Sequence, residues 1–105
     1  MAYKRLVSKI TKENLWLYIL KMLMDRPMYA YEMSKGLEER FGFSTATITV
    51  YVVLYKMHLE GLIKMGEKRA AQGRPTRKYY EITTEGQESF LNGKTFLEGI
   101  VHILS

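Results

Sequence analysis

Cysteine is absent from this 105-residue chain, which excludes disulfides and thiolate metal sites. Histidine is scarce: His58 and His102 stand alone, without paired carboxylates or ligand spacing around them. No phosphate-cradling glycine motif occurs either. An enzyme is therefore not expected, and neither is a metal or cofactor. No apolar run approaches the roughly 18–20 residues needed to cross a bilayer. The opening stretch, Met1 to Lys9, has no apolar secretion-signal core. A cytoplasmic protein without a membrane partner is expected. Proline occurs only as Pro27 and Pro75, so breaks between elements are few and well marked.

What is present suits one small folded domain. Apolar residues make up 47% of the chain, too many for a disordered one. The core of so short a chain is modest, so burying more apolar surface in a dimer would help it. The net charge of +5 is unevenly spread. Lys64, Lys68, Arg69, Arg74, Arg77 and Lys78 crowd one short stretch against a single acid, Glu67. Lys4, Arg5, Lys9 and Lys12 form a second cluster, whereas Glu81 to Glu98 is mostly acidic. Such polarity is expected where one face meets a polyanion, although a solvated face would give the same run.

Periodicity predicts four helices and one hairpin. The first helix is expected over Lys12–Asp25, with Thr11 as N-cap, an apolar stripe from Leu15 to Leu23, and Pro27 as its stop. The second spans Ala30–Phe41, with Met33, Leu37 and Phe41 on one face and Gly42 at the left-handed C-cap. The third, about residues 45–60, is rich in β-branched residues, which alone favour a strand. Its unbroken run and the period of Val50, Leu54 and Met57 favour a helix, capped by Ser44 or Thr45. Strands are expected over Leu62–Lys68 and Lys78–Ile82, around a basic Gly/Pro turn. A fourth helix begins after Thr83, with Phe90, Leu97 and Leu104 at heptad spacing. Glycines 86, 93 and 99 weaken this helix, so it must gain stability by packing, naturally against a partner subunit. Helix, basic hairpin and new helix cap together predict a mainly α winged helix with a small β-hairpin.

Several segments, in order, resemble the PadR family of transcriptional regulators, in its short form with one C-terminal helix. Met28-Tyr29-Ala30-Tyr31-Glu32 is similar to the family's M-H-G-Y-E. Thr49-Val50-Tyr51, Leu54, Met57 and Glu60-Gly61-Leu62-Ile63 are similar to T-L-Y-P-A-L-x-x-L-E-x-E-G-L-I. Gly73-Arg74-Pro75 and Arg77-Lys78-Tyr79-Tyr80-Glu81-Ile82-Thr83 resemble the wing and its R-K-Y-Y-x-L-T ending. Two positions depart: Ile48 stands where the family usually has Gly, and Val52 where it has Pro.

The resemblance implies a homodimeric winged helix-turn-helix that represses transcription on double-stranded DNA at a palindromic site. Residues 1–83 would form the DNA-binding domain, with the wing near 68–78, and residues 84–105 the dimerisation helix. In the recognition helix, Thr45, Thr47 and Thr49 offer hydroxyls, and Ile48 and Val52 apolar contact with thymine methyls. Tyr51 suits a phosphate hydrogen bond, and Tyr55 and Lys56 lie one turn on. Lys68, Arg69, Arg74, Arg77 and Lys78 would set the wing on phosphate or in the minor groove, unless Arg77 and Lys78 lie along the strand as structural charges. The dimer interface would take Leu15, Trp16 and Ile19 with Phe90, Phe96, Leu97, Ile100, Val101 and Leu104. Some relatives bind flat aromatic ligands there, which makes Trp16 a candidate effector contact as well as a packing anchor. A reading of another class stands beside this one, in which the winged helix is a protein–protein assembly module whose wing meets an acidic partner.

Overall fold

The chain begins with a helix that contributes nothing to its core. In the computed structural model α1 (Ala2–Ile10) is amphipathic yet has no buried residue. The structure describes residues 1–69 and 77–105, the side chains of residues 67–69 excepted. Three side chains satisfy the carbonyls that end α1. The Thr11 hydroxyl donates to Val7 O (2.6 Å), Asn14 Nδ2 to Lys9 O (2.5 Å) and the Tyr18 hydroxyl to Ile10 O (2.7 Å).

This α1 corrects the expectation of a single helix over Lys12–Asp25. Thr11 lies outside helical geometry (φ −115°, ψ −92°), and its side chain does not cap the 3₁₀ turn after it. Beyond that single turn, Lys12–Asn14, the chain enters α2 (Leu15–Leu23). Lys9 and Ser8 bond the Glu13 carboxylate across this break and hold its pKa below the usual range.

α2 is the centre of the core, with Ile19, Leu20 and Met22 wholly buried. Against it pack α3 (Ala30–Phe41) and α4 (Thr47–Leu59), which together form the helix-turn-helix. The Glu32 carboxylate accepts from the Tyr29 backbone N–H (3.2 Å) at the start of α3 and pairs with Arg26 (2.9 Å). Gly42 ends α3 at φ 77°, the left-handed conformation that a glycine adopts without strain. The β-branched run of α4 is helical because Val50, Leu54 and Met57 all enter the core, a tertiary gain that outweighs propensity. Neither Ser44 nor Thr45 caps it; Ala46 holds that position. The carbonyl of Thr45 accepts from the Ser34 hydroxyl (2.8 Å), and its own hydroxyl oxygen is buried without a partner.

Strands β1 (Ile63–Arg69) and β2 (Arg77–Ile82) pair antiparallel, with Ile63 opposite Ile82 and Met65 opposite Tyr80. The register shifts between Met65 and Lys68, as at a bulge. Met28 adds a one-residue third strand, exchanging both backbone hydrogen bonds with Tyr80 (2.8 and 3.2 Å). Burial raises the pKa of the Tyr80 phenol, with Tyr51 adding to it, so it stays neutral throughout the physiological range.

The hairpin turns into α5 (Thr84–Leu104) through Thr83. Its hydroxyl donates to Gly61 O (2.6 Å) and accepts from Gly86 N–H (3.0 Å), joining the end of α4 to the start of α5. Thr83→Ala should lower unfolding stability by about 1–2 kcal/mol, read as an earlier midpoint in urea. An unshifted midpoint would mean that water replaces both bonds. The first half of α5 packs on α2 through Phe90 and Gly93, while Phe96, Ile103 and Leu104 are exposed. The fold is thus mainly helical with one two-stranded hairpin, a winged helix-turn-helix followed by a long terminal helix.

Candidate nucleic-acid interface

The face of α4 opposite its core residues is open to solvent. Ile48 is 70% exposed, Val52 51%, Tyr51 50% and Tyr55 65%. Thr49 and Lys56 are exposed beside them, and Thr47 is half-buried. Thr45 lies before the helix rather than on it. Ile48, Thr49, Tyr51, Val52, Tyr55 and Lys56 therefore share one accessible surface, with the helix N-terminus at its leading end.

The hairpin is the most basic segment of the chain. Its register sets Lys68 opposite Lys78 and Arg69 opposite Arg77. Nearer the body, Lys64 sits opposite Glu81 and pairs with it (3.9 Å). Lys78 is exposed. Arg74, placed in the turn by sequence, lies outside the described residues.

Arg77 takes a position that sequence spacing does not reveal. Its guanidinium lies 4.6 Å from the centroid of the Tyr29 ring, and Tyr29 meets Tyr79 edge-on at 5.5 Å. A cation over an aromatic face is attracted to the ring quadrupole. The stack ties the outer end of β2 to the start of α3. In the sequence Tyr29 stands out only as part of a family marker. Lys35, whose ammonium stands 5.7 Å from the Tyr31 ring centroid, carries no sequence signal at all.

The residues expected at a subunit interface divide in two. Leu15 and Ile19 correct that expectation: they are buried in the chain's own core and have no surface to offer a second copy. Phe90 is also buried, against α2, with the Lys21 ammonium 5.9 Å from its ring centroid. By contrast Phe96, Ile100, Val101 and Leu104 are exposed along α5. Trp16 and Leu97 are half-buried between α2 and α5. The Trp16 Nε1–H donates to Asn14 Oδ1 (3.1 Å) and its ring lies against Gly93. Both histidines are exposed, including His102 within the apolar end of α5. Among the described residues no group of His, Asp or Glu lies close enough to hold a metal ion, and no helix is long and apolar enough to cross a membrane.

A family model described as the transcriptional regulator PadR-like family matches residues 19–92. No curated protein matches the chain significantly. Among solved structures, a PadR-like transcriptional regulator from Bacillus cereus is 28% identical, with a TM-score of 0.78 over 92% of this chain and 93% of that one. A PadR family transcription regulator from Clostridium difficile is 29% identical, with a TM-score of 0.74 over 85% of this chain and 92% of that one. Bacillus subtilis PadR, solved in complex with operator DNA, shares the fold at 22% identity and a TM-score of 0.67, over 74% of this chain and 45% of that one.

Proposed function

Because the chain belongs to the transcriptional regulator PadR-like family, we propose that it binds double-stranded DNA as a homodimer and represses transcription at a palindromic site. One observation carries this reading beyond family membership: the stretch from Lys64 to Lys78 holds six of the sixteen Lys and Arg of the chain against one acid, and the strand register sets Lys68 opposite Lys78. The phosphate backbone is the partner that meets a basic wing of this kind. The relative solved on operator DNA supports the same reading through its fold.

In this arrangement α4 enters the major groove with its N-terminal residues near the base edges. Thr49, Tyr51 and Lys56 supply polar contacts, while Lys68, Arg69, Arg74 and Lys78 hold the wing on phosphate or in the minor groove. Residues 1–83 form the DNA-binding domain, and residues 84–105 carry the dimer contact. The exposed apolar residues of α5, with Trp16 and Leu97, are the surface offered to the second subunit. α1 supports this by presenting Tyr3, Leu6, Val7 and Ile10 to solvent.

A shift assay against random duplex DNA at low salt tests the central claim. A basic repressor retards even random duplex, whereas a pure assembly module leaves it free. That second reading draws support from the apolar exposure of α4, so the assay decides between them. For the dimer, Phe96→Glu should give a monomer in sedimentation equilibrium while thermal unfolding stays cooperative. A variant that remains dimeric would move the interface away from α5. Trp16 is a packing anchor in this reading, and a flat aromatic effector beside it is the alternative to be tested. Planar cationic dyes should then quench Trp16 fluorescence, and unchanged emission would remove the effector from the scheme.

A further inference from the structure

α4 is apolar on both sides. Val50, Leu54 and Met57 face the core, and Ile48, Val52, Tyr55 and Leu59 face solvent on the opposite side. A helix that is apolar all round is ordinarily buried all round. Here half of that surface waits for a partner.

The same helix lacks the usual base-reading side chains. Guanine is read by the paired donors of Arg or Lys, adenine by Asn or Gln, and cytosine by Asp or Glu. Between Thr47 and Tyr55 none of these six residue types occurs. Lys56 is the first charge on the helix and lies a turn beyond Val52. The four side-chain amides of the chain, Asn14, Gln72, Gln87 and Asn92, all lie outside α4. Thr49 and Tyr51 offer single hydroxyls, which hydrogen-bond phosphate or any base edge and discriminate weakly. The one apolar feature that the major groove presents is the C5 methyl group of thymine.

We infer that this chain selects its operator chiefly through thymine methyl groups, with Ile48 and Val52 as the specificity-determining side chains. This inference rests on the DNA-binding reading above. Ile48 and Val52 are four residues apart on one face, so their side chains stand about 5–6 Å from each other. Base pairs rise about 3.4 Å each. Each half-site should therefore carry two thymines within about two base steps. A protein partner on this face is the competing occupant; the cations concentrated in the hairpin favour the polyanion.

The test starts by enriching a site from a random duplex pool with the full chain. The enriched duplex is then resynthesised with deoxyuridine in place of single thymines, which removes only the methyl group. At the two positions of each half-site, affinity should fall about fourfold per methyl removed, and about fifteenfold when both half-sites change together. The slope of affinity against salt should not change, since the phosphate contacts are kept. Ile48→Ala should bind with no preference between thymine and deoxyuridine at one position, and Val52→Ala likewise at the other. Both residues are exposed, so neither substitution disturbs the core. Equal affinity for the thymine and deoxyuridine duplexes overturns the inference while leaving DNA binding intact. So does an enriched site without paired thymines. A chain that retains no duplex at all, even at low salt, overturns the DNA-binding reading and this inference with it.

Discussion

Raising salt from about 50 to about 200 mM should weaken binding to duplex DNA roughly 10³- to 10⁴-fold. The cause is electrostatic. A dimer that neutralises about six to eight phosphates releases their condensed counterions, and the log–log slope follows at roughly −5 to −7. In the proposed complex the basic wing would supply most of those contacts. Arg69→Ala with Arg74→Ala removes two phosphate partners from each subunit and should flatten the slope by about three to four. Arg77→Ala should behave otherwise. Its guanidinium is engaged with Tyr29, so its loss should loosen the hairpin and lower affinity with little change of slope. A fluorescence-anisotropy titration at several salt concentrations separates these cases. An unchanged slope in the Arg69/Arg74 variant would remove the wing from the DNA contact.

The second large effect concerns stability, and the same substitution should act with opposite sign at two places. A Cβ added at Gly86 would run into the backbone carbonyl of Leu62 and stand 2.8 Å from Ile82 Cγ1. A backbone oxygen cannot swing aside, so the first turn of α5 must move off the hairpin. Gly86→Ala should cost about 1–3 kcal/mol, the usual range for overpacking. At Gly99 an added Cβ meets nothing within 4 Å. There the substitution brings only the helix propensity of alanine, and Gly99→Ala should gain up to about 1 kcal/mol. For a chain of this size each kcal/mol shifts Tm by about 4–8 °C, so thermal melts of the two variants should bracket the parent. Gly86→Ala melting with the parent would mean that the α5–hairpin approach is looser than its geometry.

Features encoded locally are legible in the sequence alone. The bounds of α3, the left-handed Gly42, the basic hairpin and the Thr83 cap each depend on a few neighbouring residues whose chemistry points one way. The features that stay hidden depend on partners distant in sequence. α1 escapes notice because Lys4, Arg5 and Lys9 dominate its composition and no breaker marks Thr11, whose bond to Val7 ends the helix. The start of α4 is hard to place because Thr45 gives its carbonyl to Ser34, eleven residues back. Leu15 and Ile19 cannot be told from interface residues, since an apolar stripe looks the same whether its own chain or a second one covers it. The role of Arg77 needs Tyr29, far back in the chain, to come within 4.6 Å. By contrast, Ile48 and Val52 fall off the core face by pattern alone, because the period of Val50, Leu54 and Met57 leaves them no other side.

A nine-residue helix standing alone in water is marginal even with favourable composition. α1 stands close to that position within its own chain: the carbonyl bonds from Thr11, Asn14 and Tyr18 hold its end, while Tyr3 and Leu6 on its apolar face are exposed. Its order is therefore tied to whatever covers Tyr3 and Leu6. When that cover is a second copy, the abundance of the protein decides how much of each molecule is folded. Scarce molecules would carry a frayed N-terminal arm and abundant ones a finished helix, which makes copy number a variable of the shape itself.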